Sequence, residues 1–130
     1  MIIHKSTIAQ VNRLLNLPAL GDEQDWPVEL ANKLRVGEFI KFILEQPLSL
    51  ELRKAVMALI LTSYEDLSFS DEDKNLEVWK KVVEVLNIFK GQFDHLLTYW
   101  ALWDEESQEN WFSITPLVRG YLGKQQNKEL

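Results

Sequence analysis

The sequence predicts an all-α protein, a single compact domain of about five to seven helices in a bundle-like or orthogonal packing. Apolar residues recur at spacings of three and four along most of the chain. Glycine and proline are scarce, five and four in 130 residues, and they fall between the periodic segments. Alternation at period two, the pattern typical of a strand, appears only over the short stretch 111–114.

The first third of the chain contains two predicted helix starts. Ser6 can cap a first helix, whose apolar positions are Ile8, Val11 and Leu15. The triplet Asp25-Trp26-Pro27 predicts the second start, because proline is tolerated in the first turn. The apolar stripe expected there is Val28, Ala31 and Leu34. Gly37 is expected to bend or divide this segment, and Pro47 to end it. Between them lies a second group of apolar residues, Phe39, Ile40, Ile43 and Leu44.

The middle of the chain predicts the central buried helix. Ser49 is a suitable N-cap, and Glu51 in the first turn favours the positive end of the helix dipole. The inward face expected for this helix is Leu52, Val56, Leu59, Ile60 and Ser63. Ser70 or Asp71 is expected to open the next helix, and Gly91 to end or kink it. Its stripe is Leu76, Trp79, Val82, Val83, Leu86 and Phe89.

Two further helices complete the predicted domain. The first has its apolar positions at spacings of three and four, namely Phe93, Leu96, Leu97, Trp100 and Trp103. Thr115 and Pro116 form the start of the second, which is expected to be short because Gly120 and Gly123 follow. The domain is therefore expected to span 1–123, with 124–130 as a frayed tail that has little to bury.

Composition points to a soluble protein of the cytoplasm. The hydrophobic share of 46% and the charged share of 26% are ordinary for a globular domain. Cysteine is absent, which excludes disulfides, thiolate catalysis and Cys-based metal sites and is compatible with a reducing compartment. The start of the sequence turns polar after three residues, unlike a signal peptide. The longest purely apolar run, 55–61, is too short to span a bilayer.

The net charge indicates which class of partner this protein could bind. Twenty acids against fourteen bases give a net charge of −6. That balance opposes binding to phosphate backbones and anionic lipid surfaces, so neither nucleic acid nor membrane is expected as a partner. The acids concentrate in two segments: residues 21–47 carry six acids and three bases, and 91–110 carry five acids with no Lys or Arg. A basic protein is the natural complement.

No catalytic constellation is visible. His4 and His95 lie in different predicted helices, and the motifs of zinc proteases, serine hydrolases and nucleotide-binding loops are missing. Acidic pairs and runs such as Glu65-Asp66 fall at predicted helix ends and loops, where solvent screens them. Asp71-Glu72-Asp73 is better explained by the dipole at a helix start, and it lacks the spacing of a calcium loop. We therefore expect a protein that is not an enzyme and holds neither a metal nor a cofactor.

Three of the five tryptophans bracket the most acidic stretch of the chain. Trp100, Trp103 and Trp111 flank residues 104–110, which contain four acids and no base. Aromatic anchors dominate binding energy and charge steers association, so this pattern favours a surface that holds a basic partner. Core packing is the alternative, because Trp100 and Trp103 share an apolar stripe. The residues expected to contact the partner are Tyr99, Trp103, Asp104, Glu105, Glu106, Glu109 and Trp111.

Two functions from different classes fit these features. The first is a non-enzymatic binding domain, most specifically an immunity or inhibitor protein that neutralises a basic toxin or enzyme. Bacterial immunity proteins are similar to this chain in class, size and charge, although no motif identifies that family. The second is a structural or assembly subunit that forms an obligate dimer through its aromatic patch. The sequence leaves the oligomeric state and the identity of the partner open.

Overall fold

The computed structural model describes residues 3–70 and 75–129, with side chains as far as Gln125, and within them the predicted all-α class is confirmed. The described residues form seven α-helices and no strand. The helices are α1 Lys5–Leu14, α2 Trp26–Leu30, α3 Val36–Glu45, α4 Leu50–Phe69, α5 Leu76–Ile88, α6 Asp94–Ala101 and α7 Thr115–Glu129. A short 3₁₀ turn, Gln108–Asn110, lies between α6 and α7.

Helix α4 is the centre of the molecule, as its apolar run predicts. Its residues 55–64 are all buried, so this stretch is covered on every side. Helices α1, α2, α3 and α5 pack around it, while α6 packs against α7. Ser49 caps α4 as expected, its hydroxyl accepting a hydrogen bond from the Leu52 amide at 3.2 Å. The fully buried Ser63 hydroxyl accepts from the Asn32 amide at 3.0 Å and so fixes the connection between α2 and α3.

Several local expectations are wrong because tertiary contacts override the pattern. Helix α2 ends at Leu30 and buries Trp26 and Leu30. The stripe expected there fails, since Val28 and Leu34 are exposed. Trp26 is buried instead, and its indole N–H donates to Asn12 Oδ1 on α1 at 2.7 Å.

The ends of four helices also differ from expectation. Helix α1 begins at Lys5 after an N-cap at His4, so Ser6 lies inside it. Ser70 is the C-cap of α4, α5 begins at Leu76 after an N-cap at Asn75, and Asp71-Glu72-Asp73 lies outside the described residues. Helix α6 ends before Trp103, and α7 continues through Gly120 and Gly123 to Glu129. Fraying of 124–130 stays a prediction.

Arginines hold the connections between helices in place. Arg35 donates to the Leu15 carbonyl at 2.7 Å, which fixes the end of α1, and its guanidinium lies 5.0 Å from the centre of the Phe39 ring. Arg53 donates to the Leu48 carbonyl at 3.0 Å and lies 4.3 Å from the Phe89 ring centre. In both places the guanidinium donates to a backbone carbonyl through its N–H groups and contacts an aromatic ring, two interactions that its planar shape allows at once.

Candidate functional site

The predicted site begins where α6 ends. Leu102 adopts a left-handed backbone conformation (φ 48°), which stops the helix and turns the chain away from its axis. The last carbonyl groups of α6 are satisfied by side chains of α7. The Thr115 hydroxyl donates to the Trp100 carbonyl at 2.8 Å, and Arg119 Nε donates to the Ala101 carbonyl at 2.6 Å. The end of α6 is thereby fixed to α7.

Arg119 also organises the segment that follows, residues 102–111, called here the acidic loop. Its Nη2 donates to the carbonyl oxygens of Leu102 and Glu105. Its guanidinium lies 4.0 Å from the ring centre of Trp111 and 5.1 Å from that of Trp103. The Trp111 indole N–H donates to the Glu105 carbonyl at 3.0 Å. The two tryptophans at the ends of the acidic loop therefore contact a cation of the protein itself.

The four acids of the acidic loop separate into two kinds. Asp104, Glu106 and Glu109 are exposed, and none of them forms an ion pair within the described residues, whose ion pairs are Arg35–Glu38 and Lys80–Glu77. Glu105 is half-buried, and its carboxylate accepts from the Ser107 amide at 3.1 Å and the Asn110 side chain at 3.4 Å. The contacts of Glu105 give it a structural role within the loop. Glu109, although exposed, accepts a hydrogen bond from the Ser107 hydroxyl at 3.3 Å, whereas the exposed carboxylates of Asp104 and Glu106 extend towards solvent.

The aromatic residues divide between core and surface. Trp100 is buried, with an exposed fraction of 6%, while Tyr99 and Trp103 are 56% and 51% exposed. Phe112 packs on both sides: its ring centre lies 4.6 Å from that of Trp100 and 5.5 Å from that of Tyr99. Trp111 is half-buried. Trp100 is therefore part of the core, whereas Tyr99 and Trp103 are on the surface of the protein.

Tyr99 and Trp103 line different cavities. Trp103 borders a cavity of about 380 Å³ together with Asp94 and Tyr121. The Tyr121 hydroxyl donates to Asn87 Oδ1 at 3.2 Å. Burial raises the pKa of Tyr121, and the nearby Asp94 carboxylate adds to that rise.

Tyr99 borders a groove of about 470 Å³ that sequence reasoning missed, referred to below as the groove. Its lining combines carboxylates with apolar and aromatic side chains from α2, α4 and α6, together with Phe112. The lining residues are Ile3, Asp25, Pro27, Val28, Ala58, Thr62, Glu65, Asp66, Leu96, Tyr99, Trp100 and Phe112. Asp25 comes from the first acidic segment and Tyr99 from the second, so the two segments meet here. No local pattern could predict this meeting, because the two segments are far apart in the sequence.

His4 and His95 are exposed, and no group of three or more metal-ligating side chains occurs among the residues with described positions. Within the same part of the chain, no helix is both long enough and apolar enough to cross a membrane. Comparison with models of protein families, with curated proteins and with solved structures finds no match to this chain.

Proposed function

We propose that this protein is a non-enzymatic binding domain that holds a basic protein partner against the acidic loop. The observation that carries the proposal is the combination of order and unbalanced charge in one loop. Asp104, Glu106 and Glu109 are exposed on a segment whose backbone is held by Arg119 and Trp111. A charged surface that is already ordered loses little conformational entropy when a partner binds, which favours affinity.

The more specific form of the proposal is an immunity or inhibitor protein that neutralises a basic toxin or enzyme in the cytoplasm. Its support is the net charge of −6 and the position of the loop acids, whose field would steer a basic surface towards the protein. Such a partner would place its cations against Asp104, Glu106 and Glu109, and Trp103 would supply apolar contact at the edge of the loop. Catalysis, nucleic acid and membrane have no part in this proposal.

The test needs a partner captured from the source cells and its binding kinetics at two salt concentrations. The triple variant Asp104→Asn, Glu106→Gln, Glu109→Gln should slow association at low salt by about tenfold and flatten its salt dependence. Dissociation should change much less. The matched control is Asp22→Asn, Glu45→Gln, Glu84→Gln, which changes the net charge equally at three exposed acids outside the loop. Equal slowing in both triple variants would mean that the loop is not the contact.

The second candidate function is an obligate dimer formed through the aromatic patch, and the exposure of Trp103 favours it. Sedimentation of the purified protein distinguishes the two. A dimer that Trp103→Ser converts to a monomer would support the assembly function. A monomer at micromolar concentration supports the binding domain.

A further inference from the structure

The groove combines unneutralised acids with exposed apolar rims. Asp25 and Asp66 are exposed and form no ion pair within the described part of the chain. Asp25 is the N-cap residue of α2, yet its side chain makes no capping hydrogen bond. Its carboxylate is therefore not committed to the role that aspartate usually has at that position. None of the described residues that line the groove is basic.

The apolar residues of the groove include exposed side chains at its rims and buried ones at its base. Val28 on α2 and Tyr99 on α6 are each 56% exposed at its rims, while Ala58 and Trp100 are buried beneath them. Large apolar side chains on two separate helices thus border one concave surface. Exposed apolar patches rimmed by charge are typical of surfaces that bind another protein, and a volume of about 470 Å³ is within the range of ligand pockets.

We propose that the groove receives an arginine-bearing apolar segment of the basic partner. This inference rests on the proposed function, since it names a second contact of the same partner. The carboxylates of Asp25 and Asp66 would pair with the guanidinium, and the rings of Tyr99 and Phe112 would pack on its planar face. An apolar neighbour of the arginine would cover Val28.

Arginine fits this groove better than lysine for a reason the molecule itself displays. Arg35, Arg53 and Arg119 each donate hydrogen bonds to oxygen atoms and also contact an aromatic ring. Their guanidinium groups lie 4.0 to 5.1 Å from the ring centres. The groove offers the same two components, carboxylate oxygens and aromatic faces, and its described lining residues include no cation. A compact ammonium would keep the charge interaction and lose the packing on the rings.

The inference is tested with the tripeptide acetyl-Leu-Arg-Leu-amide, titrated into the ¹⁵N-labelled protein at low salt and observed by amide chemical shifts. The comparison peptide carries glutamine instead of arginine. We expect the arginine peptide to shift the amides of Val28, Thr62 and Tyr99, and the glutamine peptide to bind more weakly. The double variant Asp25→Asn, Asp66→Asn should raise the Kd about three- to tenfold, because two exposed charge pairs are lost.

Matched controls separate the groove from general effects of charge and hydrophobicity. Asp22→Asn, Glu84→Gln removes two exposed acids elsewhere and should leave the Kd within about twofold. Val28→Ser should weaken binding, whereas Ile88→Ser, at a residue 62% exposed on α5, should not. Equal binding of the two peptides, equal weakening in variants and controls, or the absence of shifts in the groove would overturn the inference. Shifts confined to 104–109 would overturn it and leave the proposed function standing, because that function places the partner on the acidic loop and does not require the groove.

Discussion

The guanidinium of Arg119 lies 4.0 Å from the centre of the Trp111 ring. Both side chains donate a hydrogen bond to the carbonyl oxygen of Glu105. The tryptophan at the end of the most acidic segment therefore holds a cation of the protein itself. Arg35 and Arg53 are used in the same way, on Phe39 and Phe89. The ion pairs within the described residues are Arg35–Glu38 and Lys80–Glu77, so none of these arginines pairs with Asp104, Glu106 or Glu109.

Replacing Arg119 with lysine should lower the free energy of unfolding by about 1–3 kcal/mol. A single ammonium cannot donate to the Ala101, Leu102 and Glu105 carbonyls in the geometry of the planar guanidinium. Urea denaturation measures the change. The control is Arg13→Lys, at an exposed position in the last turn of α1, which should cost less than about 0.5 kcal/mol. Equal losses in the two variants would contradict the role given to Arg119.

Truncating the core residues Leu59 or Leu86 to alanine should cost about 2–5 kcal/mol each. Both are buried, at 0% and 2% exposure, in the two helices expected to supply the core. Thermal or chemical denaturation gives the values. Leu34→Ala, at a residue 87% exposed, is the control and should change stability by less than about 0.5 kcal/mol. Losses below about 0.5 kcal/mol at both positions would contradict the placement of Leu59 and Leu86 in the core.

Trp111→Phe should loosen the acidic loop more than Trp103→Phe. Phenylalanine keeps a ring for Arg119 but removes the indole N–H that donates to the Glu105 carbonyl. We expect faster hydrogen exchange at loop amides such as Ser107 and Asn110 in Trp111→Phe, at a cost in stability of about 1 kcal/mol. Faster exchange in Trp103→Phe alone would assign the ordering of the loop to the other tryptophan.

Stability should fall above pH 10 partly through Tyr121. Its pKa in the folded protein is raised from 10.0 by burial and by Asp94. As the pH rises past 10, the unfolded chain releases this phenolic proton before the folded protein does, so the contribution of Tyr121 is complete below pH 10 and is lost as the pH rises towards the folded pKa. Denaturation at pH 9 and pH 11 measures the fall, which should be smaller in Tyr121→Phe. An equal or larger fall in that variant would contradict this linkage.

What the sequence alone determined is local. Apolar spacing of three and four predicts α4 and α5 because one helical face repeats at that interval, and Ser49 predicts its cap because the hydroxyl reaches an amide three residues away. The same periodicity failed for α2, which buries Trp26 and Leu30, with the indole N–H of Trp26 hydrogen-bonded to Asn12 of α1. It also extended α6 to Trp103, although Leu102 ends the helix in a left-handed conformation.

Only the tertiary structure decided which aromatic and acidic residues form surfaces. Trp100 is buried and Trp103 exposed because the chain turns between them and Arg119 of α7 holds that turn. The groove joins Asp25, Asp66 and Tyr99, which belong to three different helical regions of the chain. Whether a residue is charged or aromatic can be read directly from the sequence. Which of these residues come together depends on how the helices pack, and helical periodicity carries no information about contacts between residues far apart in the chain.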